Sequence, residues 1–279
     1  NGIFYKKVQK GFLKIASQKK RESYIKIDSN FDIIENKITK MTSAIVPVHV
    51  FGNACEVEEI DAIAKRNNLK VIYDAAHAFG VKYKGKSILN YGDISTLSFH
   101  ATKIFHTIEG GALIINDDSL LEKVRYLINF GIKNKEEIPE LGTNAKMNEF
   151  EAAMGLCVLD DMQDLHAKRG MICELYKKEL EGIVKFQKQN EDSIQNYSYF
   201  PIILRSEEQL KKLENALNLK DIFPRRYFYP SLDTLCYIRP KQFLSNSRDI
   251  SCKVLCLPMY PELKEEDQRS IIETIINNI

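Results

Sequence analysis

The chain has 279 residues, 44% of them apolar, and 40 lysines and arginines stand against 38 aspartates and glutamates for a formal charge of +2. That length and apolar share suit a large buried core, in one big domain or two of ordinary size. The near balance of charge removes the electrostatic argument for a nucleic-acid partner, and no apolar run reaches the length needed to span a bilayer.

Residues 1–21 are basic throughout (Lys6, Lys7, Lys10, Lys14, Lys19, Lys20, Arg21), with Ile3, Phe4, Val8, Phe12 and Ile15 near helical spacing. They read as a helix with one solvated face on a larger domain, in preference to a membrane-surface helix. Residues 44–50 (AIVPVHV) form a β-branched apolar run that ends in the turn residues Gly52 and Asn53. Asn53 followed by Glu56 reads as a capped helix start, and Val57, Ile60, Ile63 and Ala64 continue at helical spacing. Leu69 to Tyr73 is a second apolar strand, so 44–73 make one βαβ unit, which implies parallel strands. Asp74 then falls at the carboxyl edge of the sheet, where open α/β folds place ligands.

Residues 94–99 alternate as a strand, Lys103 follows in a loop, and Gly110 and Gly111 introduce a further strand over Ala112 to Ile115. A helix is expected over 120–130, ending at Gly131. From Met147 to Gly182 the apolar positions Phe150, Met154, Cys157, Met162 and Leu165 mark one long helix or two abutting ones, a spine between domains. Strand Tyr199 to Leu204, a helix capped by Ser206, strand Val254 to Leu257 and a last helix from Glu265 then predict a smaller α+β domain. The expected division is 1–146 for the large domain, 147–182 for the linking helix and 183–279 for the small one. In the loop 223–232 (FPRRYFYPSL), two arginines and three aromatics stand between prolines; it reads equally as a rigid surface loop or a substrate-contact loop.

Cys55, Cys157, Cys173, Cys236, Cys252 and Cys256 show no CxxC spacing, and with no signal peptide in view they predict reduced thiols in a cytoplasmic protein. Cys252 and Cys256 would share one face of a helix and read as buried structural thiols rather than zinc ligands. No GxGxxG, P-loop, HExxH or GxSxG motif is present.

The phrases DAAHAFG (74–80), SFHATK (98–103), EGG (109–111), NAKMNEFEAAMG (144–155), RRYFYPSL (225–232) and LCLPMYPEL (255–263) occur in that order. Together they resemble the DegT/DnrJ/EryC1/StrS sugar aminotransferases, fold-type I pyridoxal phosphate enzymes, from about Ile25 to the C-terminus. The resemblance implies an α/β large domain of the aspartate aminotransferase type with a mostly parallel sheet, followed by a smaller C-terminal α+β domain. It makes Lys103 the residue that binds the cofactor aldehyde and shuttles the proton, and Asp74 the acid that holds the pyridine nitrogen protonated. It places His77 against the cofactor ring or its phenolic oxygen, Ser98 on the phosphate, and Asn144 on the phosphate across a homodimer interface. Arg226 and Tyr227 fall where members contact a nucleotide sugar, His106 could face the substrate, and Lys146 stands where arginine is frequent. The implied reaction moves an amino group from an amino acid, glutamate by preference, to a keto group of a nucleotide-linked 6-deoxysugar, with dTDP favoured by RRYFYP. Lysine at 103 argues against the related dehydratases, which carry histidine there. Members have a longer portion ahead of the strand at Ile25 to Asp28, so the second expectation is a shortened, weakly active or inactive remnant that keeps the fold and dimer surface.

Overall fold

A computed structural model describes residues 31–238 and 241–279. The basic segment 1–21 and the strand expected at Ile25 to Asp28 lie outside the described residues. A short helix α1 (Phe31–Lys37) leads to strand β1 (Ala44–Ile45), and helix α2 (Val57–Arg66) carries the chain to β2 (Lys70–Asp74). Strands β5 (Ile94–Ser98) and β6 (Gly111–Ile115) complete a four-stranded sheet of order β1-β2-β5-β6. Its first three strands are parallel and β6 is antiparallel, the mostly parallel α/β arrangement expected.

Helix α2 forms where Val57, Ile60, Ile63 and Ala64 recur on one face, and all four are buried. Its start differs from the capped start expected at Asn53. Glu56 is the residue before the helix, with no side-chain cap. Asn53 instead donates to the Lys188 carbonyl (2.9 Å) and accepts from the Asn190 amide (3.0 Å). A side chain that can cap locally has been taken by a stronger distant demand, two backbone groups that would otherwise lack a partner.

Alternation on β2 and β5 sorts the sheet's faces. Val71, Tyr73, Ser95 and Leu97 are buried on one face, while Ile72, Asp74, Thr96 and Ser98 are half-buried on the other. Between these strands lies a hairpin that residue patterning did not reveal, β3 (Lys82–Tyr83) and β4 (Lys86–Ser87). It turns through Lys84 and Gly85, both at positive φ, the geometry of a tight two-residue connection.

Helix α3 (Leu121–Leu127) is followed by α4 (Glu149–Leu180), a single helix of 32 residues and about 48 Å. Asn148 caps it: the side chain accepts from Phe150 and Glu151 amides, and Glu151 reaches back to the Asn148 amide. Met154, Val158, Met162 and Leu165 of its first half pack on the core around Val57, Val71 and Tyr73. Ile172, Cys173, Tyr176 and Leu180 of its second half belong to another core, with Ile202, Leu213, Leu255 and Ile275. One helix thus enters two hydrophobic cores in succession.

The second core is built on a sheet of order β10-β9-β7, with β7 (Lys185–Phe186), β9 (Pro201–Ile203) and β10 (Val254–Cys256) all antiparallel. Helices α5 (Glu207–Asn218), α6 (Ser245–Lys253) and α7 (Glu265–Ile276) accompany it. Strand β8 (Ser193–Ile194) leaves this group and pairs with β3, Lys82 opposite Ile194, so the chain after α4 lays down β7, returns to the first core at β8 and then completes the second sheet with β9 and β10. Cys252 ends up on α6 and Cys256 on β10; they do not share a helix face, because the helix stops at Lys253 and the backbone becomes extended at Val254. All six cysteines are free thiols.

Candidate active site

Asp74 is the last residue of β2, held by backbone bonds on both sides: its amide donates to the Pro47 carbonyl (2.8 Å) and its carbonyl accepts from His49 (3.0 Å). Its Oδ1 accepts from the Ala76 amide at 3.0 Å, which leaves the second carboxylate oxygen without a hydrogen bond among the described residues. The pairing Asp74 opposite Thr96 places Ser98, two residues on, along the same sheet face one step beyond the acid. Strand register alone therefore brings two of the predicted residues to one edge.

Lys103 follows β5 in a tight turn, its amide donating to the His100 carbonyl at 2.9 Å. Phe99, Ile104 and Phe105 on either side are buried and pull the loop back onto the sheet, so the lysine side chain is partly withdrawn from water. Burial lowers the Lys103 pKa from its ordinary value, against an opposing pull from the Asp74 carboxylate. Its Nζ donates to the Tyr199 hydroxyl at 3.5 Å and lies 6.0 Å from that ring's centre.

His77 is 8% exposed. Its Nδ1 accepts from the Phe51 amide at 3.0 Å, which puts the proton of the neutral ring on Nε2. Burial and the nearby Lys103 hold its pKa down to about 4, with Asp74 pulling the other way. Asp74, His77 and Lys103 therefore form one electrostatic group, with a carboxylate, a neutral imidazole and an amine of reduced basicity. Around them Phe51 and Phe228 lie nearly parallel to the His77 ring, at 6.2 and 5.6 Å, and Tyr199 tilts against it at 4.7 Å.

Lys103 also lines a cleft of about 470 Å³ between its own loop, α4 and the second core. His106 is on the same wall, and Tyr227 and Arg225 are on the opposite one. Arg225 is fixed at the backbone, its amide donating to the Cys256 carbonyl (3.0 Å) and its carbonyl accepting from Cys256 (2.8 Å); its Nη1 donates to the Tyr227 hydroxyl at 3.3 Å. Arg226, the residue expected to touch substrate, does not line this cleft. Its Nη2 donates to Glu207 at 3.2 Å, and the guanidinium stacks at 3.8 Å on Tyr229. The difference between the two arginines follows from chain geometry: in the bridge that pairs Arg225 with Cys256, consecutive side chains leave in opposite directions, so one arginine faces the cleft and the other turns to α5.

Asn144 stands apart from this group, on an exposed stretch. Its Oδ1 accepts from Lys146 Nζ at 2.7 Å, and the same ammonium reaches Asn129 at 3.1 Å and covers the Phe130 ring at 4.3 Å. The loop that presents it closes where Gly131, at φ +80, passes against Glu140 and Gly142; a Cβ at 131 would occupy the Glu140 carbonyl.

Residue patterning overlooked Phe51, Tyr199, Arg169 and Arg225. Phe51 and Tyr199 carry no periodic signal, and Arg169 is one polar position among many on a long helix. Arg225 precedes the arginine that the resemblance singles out, and the extended backbone implied by the flanking prolines sends the two side chains in opposite directions.

The residues present fit pyridoxal phosphate. A carboxylate oxygen without a partner among the described residues, a hydroxyl on the same sheet face, a neutral imidazole presenting N–H and an amine of lowered basicity are the donors and acceptors that its ring nitrogen, phosphate, phenolic oxygen and aldehyde call for. Comparison with known proteins agrees. Residues 23–276 match the model of the DegT/DnrJ/EryC1/StrS aminotransferase family, whose members are pyridoxal phosphate enzymes. A dTDP-4-amino-4,6-dideoxy-D-glucose transaminase of Shigella dysenteriae is 43% identical over 87% of this chain and 68% of its own length. A GDP-perosamine synthase of Escherichia coli O157:H7 is 35% identical over 87% of this chain and 67% of its own. Among solved structures, DesI in the presence of its TDP-sugar product superposes with a TM-score of 0.83 at 28% identity, covering 91% of this chain and 68% of that one. The chain thus spans about two thirds of the length of these relatives. On fold, on site and on sequence it belongs to the DegT/DnrJ/EryC1/StrS aminotransferase family.

Proposed function

We propose that this chain carries the lysine, the acid and the sugar-binding cleft of an aminotransferase that delivers an amino group to the 4-keto group of a dTDP-linked 6-deoxysugar. The observation that carries it is the Lys103 amine, reduced in basicity by burial, on the wall of a cleft that Arg225 and Tyr227 close from the other side. Pyridoxal phosphate supplies an electrophilic carbon for an amine and a ring that draws off charge when a neighbouring carbon loses its proton. Asp74 would hold that ring's nitrogen with the carboxylate oxygen that has no partner among the described residues. Ser98 would donate to the phosphate, and His77 would offer its Nε2 proton to the phenolic oxygen. Lys103 would take the proton from one of the two carbons that flank the transferred nitrogen and return it to the other, for which a neutral amine is needed at working pH.

The extended, twofold negative diphosphate of a nucleotide sugar suits Arg225, whose charge has no carboxylate partner among the described residues, while Glu207 neutralises Arg226. The preference for dTDP over GDP rests on the closer likeness to the Shigella transaminase, 43% against 35%. The amino-acid donor is glutamate by the family resemblance. Asn144 serves a second copy: residues 143–150 are exposed and Phe150 is 88% exposed, the surface a homodimer would cover. Residues 1–146, 147–182 and 183–279 are taken as large domain, linking helix and small domain, and the free thiols suit the cytoplasm.

The test is visible absorbance of the protein with added pyridoxal phosphate. A band that shifts with glutamate, returns on adding the dTDP-linked 4-keto-6-deoxy sugar and vanishes in Lys103→Ala is the expected result. A band that responds only to the GDP-linked sugar overturns the nucleotide assignment, and no band overturns the reading as a whole.

A further inference from the structure

Tyr199 enters the expectations drawn from sequence only as the first residue of a strand, yet its hydroxyl is the one side-chain group within hydrogen-bond reach of the Lys103 amine among the described residues. Its position is not incidental. The half-buried Arg169 of α4 donates Nε to the Tyr197 carbonyl (2.8 Å) and Nη2 to the Ser198 carbonyl (2.7 Å), the two peptide units that lead into Tyr199. Asn196 donates Nδ2 to the His77 and Phe79 carbonyls, both at 2.8 Å, and the Ser198 hydroxyl adds a bond to His77 at 3.3 Å. The segment bearing Tyr199 is thereby tied to the loop bearing His77. Phe51 at 5.7 Å, His77 at 4.7 Å and Tyr227 at 5.8 Å confine the ring on three sides. Burial raises the Tyr199 pKa to about 12, so the hydroxyl keeps its proton across the physiological range.

A half-buried cation directed at backbone carbonyls, and an amide directed at two more, hold one segment in register with another. The group they deliver to the site is a phenol. Resting on the aminotransferase reading above, we propose that Tyr199 is a further catalytic residue of this site, whose hydroxyl holds the Lys103 amine and sets its aim and basicity. With one N–H engaged by Tyr199 Oη, rotation about the Cε–Nζ bond is restrained and the nitrogen lone pair is directed. A neutral hydroxyl also accepts better from an ammonium than from an amine, so it favours the charged form of Lys103 in opposition to burial.

Tyr199→Phe removes the hydroxyl and keeps the ring against His77. Two measurements on the full chain read the change. The first is competitive acetylation of Lys103 across pH, followed by mass spectrometry of its peptide, which needs no cofactor; its midpoint moves to lower pH in Tyr199→Phe, a shift that a purely structural ring would not give. The second is the rate constant for pyridoxal phosphate capture, read by absorbance at a pH above both midpoints so that protonation does not contribute; it falls about 5- to 10-fold as the amine loses its aim. Arg169→Lys, which leaves the tyrosine and loosens its anchor, changes both in the same direction and less, and serves should Tyr199→Phe not fold. An unchanged midpoint together with a capture rate within twofold of the parent overturns the inference while leaving the aminotransferase reading intact. A shifted midpoint in a chain that captures no cofactor supports the contact and overturns that reading instead.

Discussion

The two groups of residues at the site are positioned by different means. One group, Asp74, Ser98 and Lys103, of which Lys103 lines the cleft, sits at or just beyond the carboxyl edge of the parallel strands, where strand register and the hydrophobic residues beside each polar one fix the positions. The other, Tyr199, Arg225 and Tyr227, stands on irregular backbone held by bonds across large sequence separations: Arg169 to 197 and 198, Asn196 to 77 and 79, Arg225 to Cys256. In the function proposed above, the first group carries the reaction and the second selects and aligns. A sheet edge tolerates little variation in geometry, whereas a loop pinned at a few carbonyls can change its side chains without moving the chemistry.

Substitutions can break this contrast in order of effect. Lys103→Ala removes the group proposed to bind the cofactor aldehyde and move the proton, and it should abolish both the absorbance band and turnover. Asp74→Asn should keep cofactor capture and slow turnover about 10²- to 10⁴-fold, because only the charge on the ring nitrogen's partner is lost; full turnover by the variant would remove the acid from its assigned role. On the opposite wall, Arg225→Ala should raise the KM for the nucleotide sugar about tenfold or more, the worth of a hydrogen bond to a charged group, with kcat nearly unchanged. Arg226→Ala should leave KM within about twofold, since its guanidinium is held by Glu207 and Tyr229. Equal effects from the two arginines would erase the distinction drawn between them.

The smallest test concerns stability and pH. His49 and His77 both have pKa values lowered from 6.5 to about 4, chiefly by burial. The unfolded chain then binds protons that the folded chain refuses, so stability is complete above about pH 6.5 and declines as pH falls toward 4, by on the order of 3 kcal/mol per histidine. His77→Gln should flatten about half of that decline in unfolding midpoints between pH 7 and 4. An unchanged slope would show that His77 titrates in the folded protein as it does in the unfolded chain.

Legibility in the sequence followed the range of the forces involved. Helix α2, strands β2, β5 and β6, and the long α4 were visible because their apolar residues recur at 3.6 or 2 positions. The hairpin at Lys82–Ser87 was not, being two short charged strands around Lys84 and Gly85. Helix α6, reading SNSRDISCK, has too few apolar residues for a period to appear. Asn53 reads as a cap, and only the approach of residues 188 and 190 showed its side chain engaged elsewhere.

By itself the sequence determined the sheet edge with Asp74 and Ser98 on it, the lysine loop behind β5 and, through its ordered phrases, the family. Those features depend on backbone periodicity and on residues close together in the chain. Tertiary structure alone decided that Arg225 rather than Arg226 faces the cleft, that Tyr199 meets the Lys103 amine, and that His77 is neutral. Each of these depends on which way a side chain leaves irregular backbone and on how much water reaches it, and both are set by packing between segments distant in the chain.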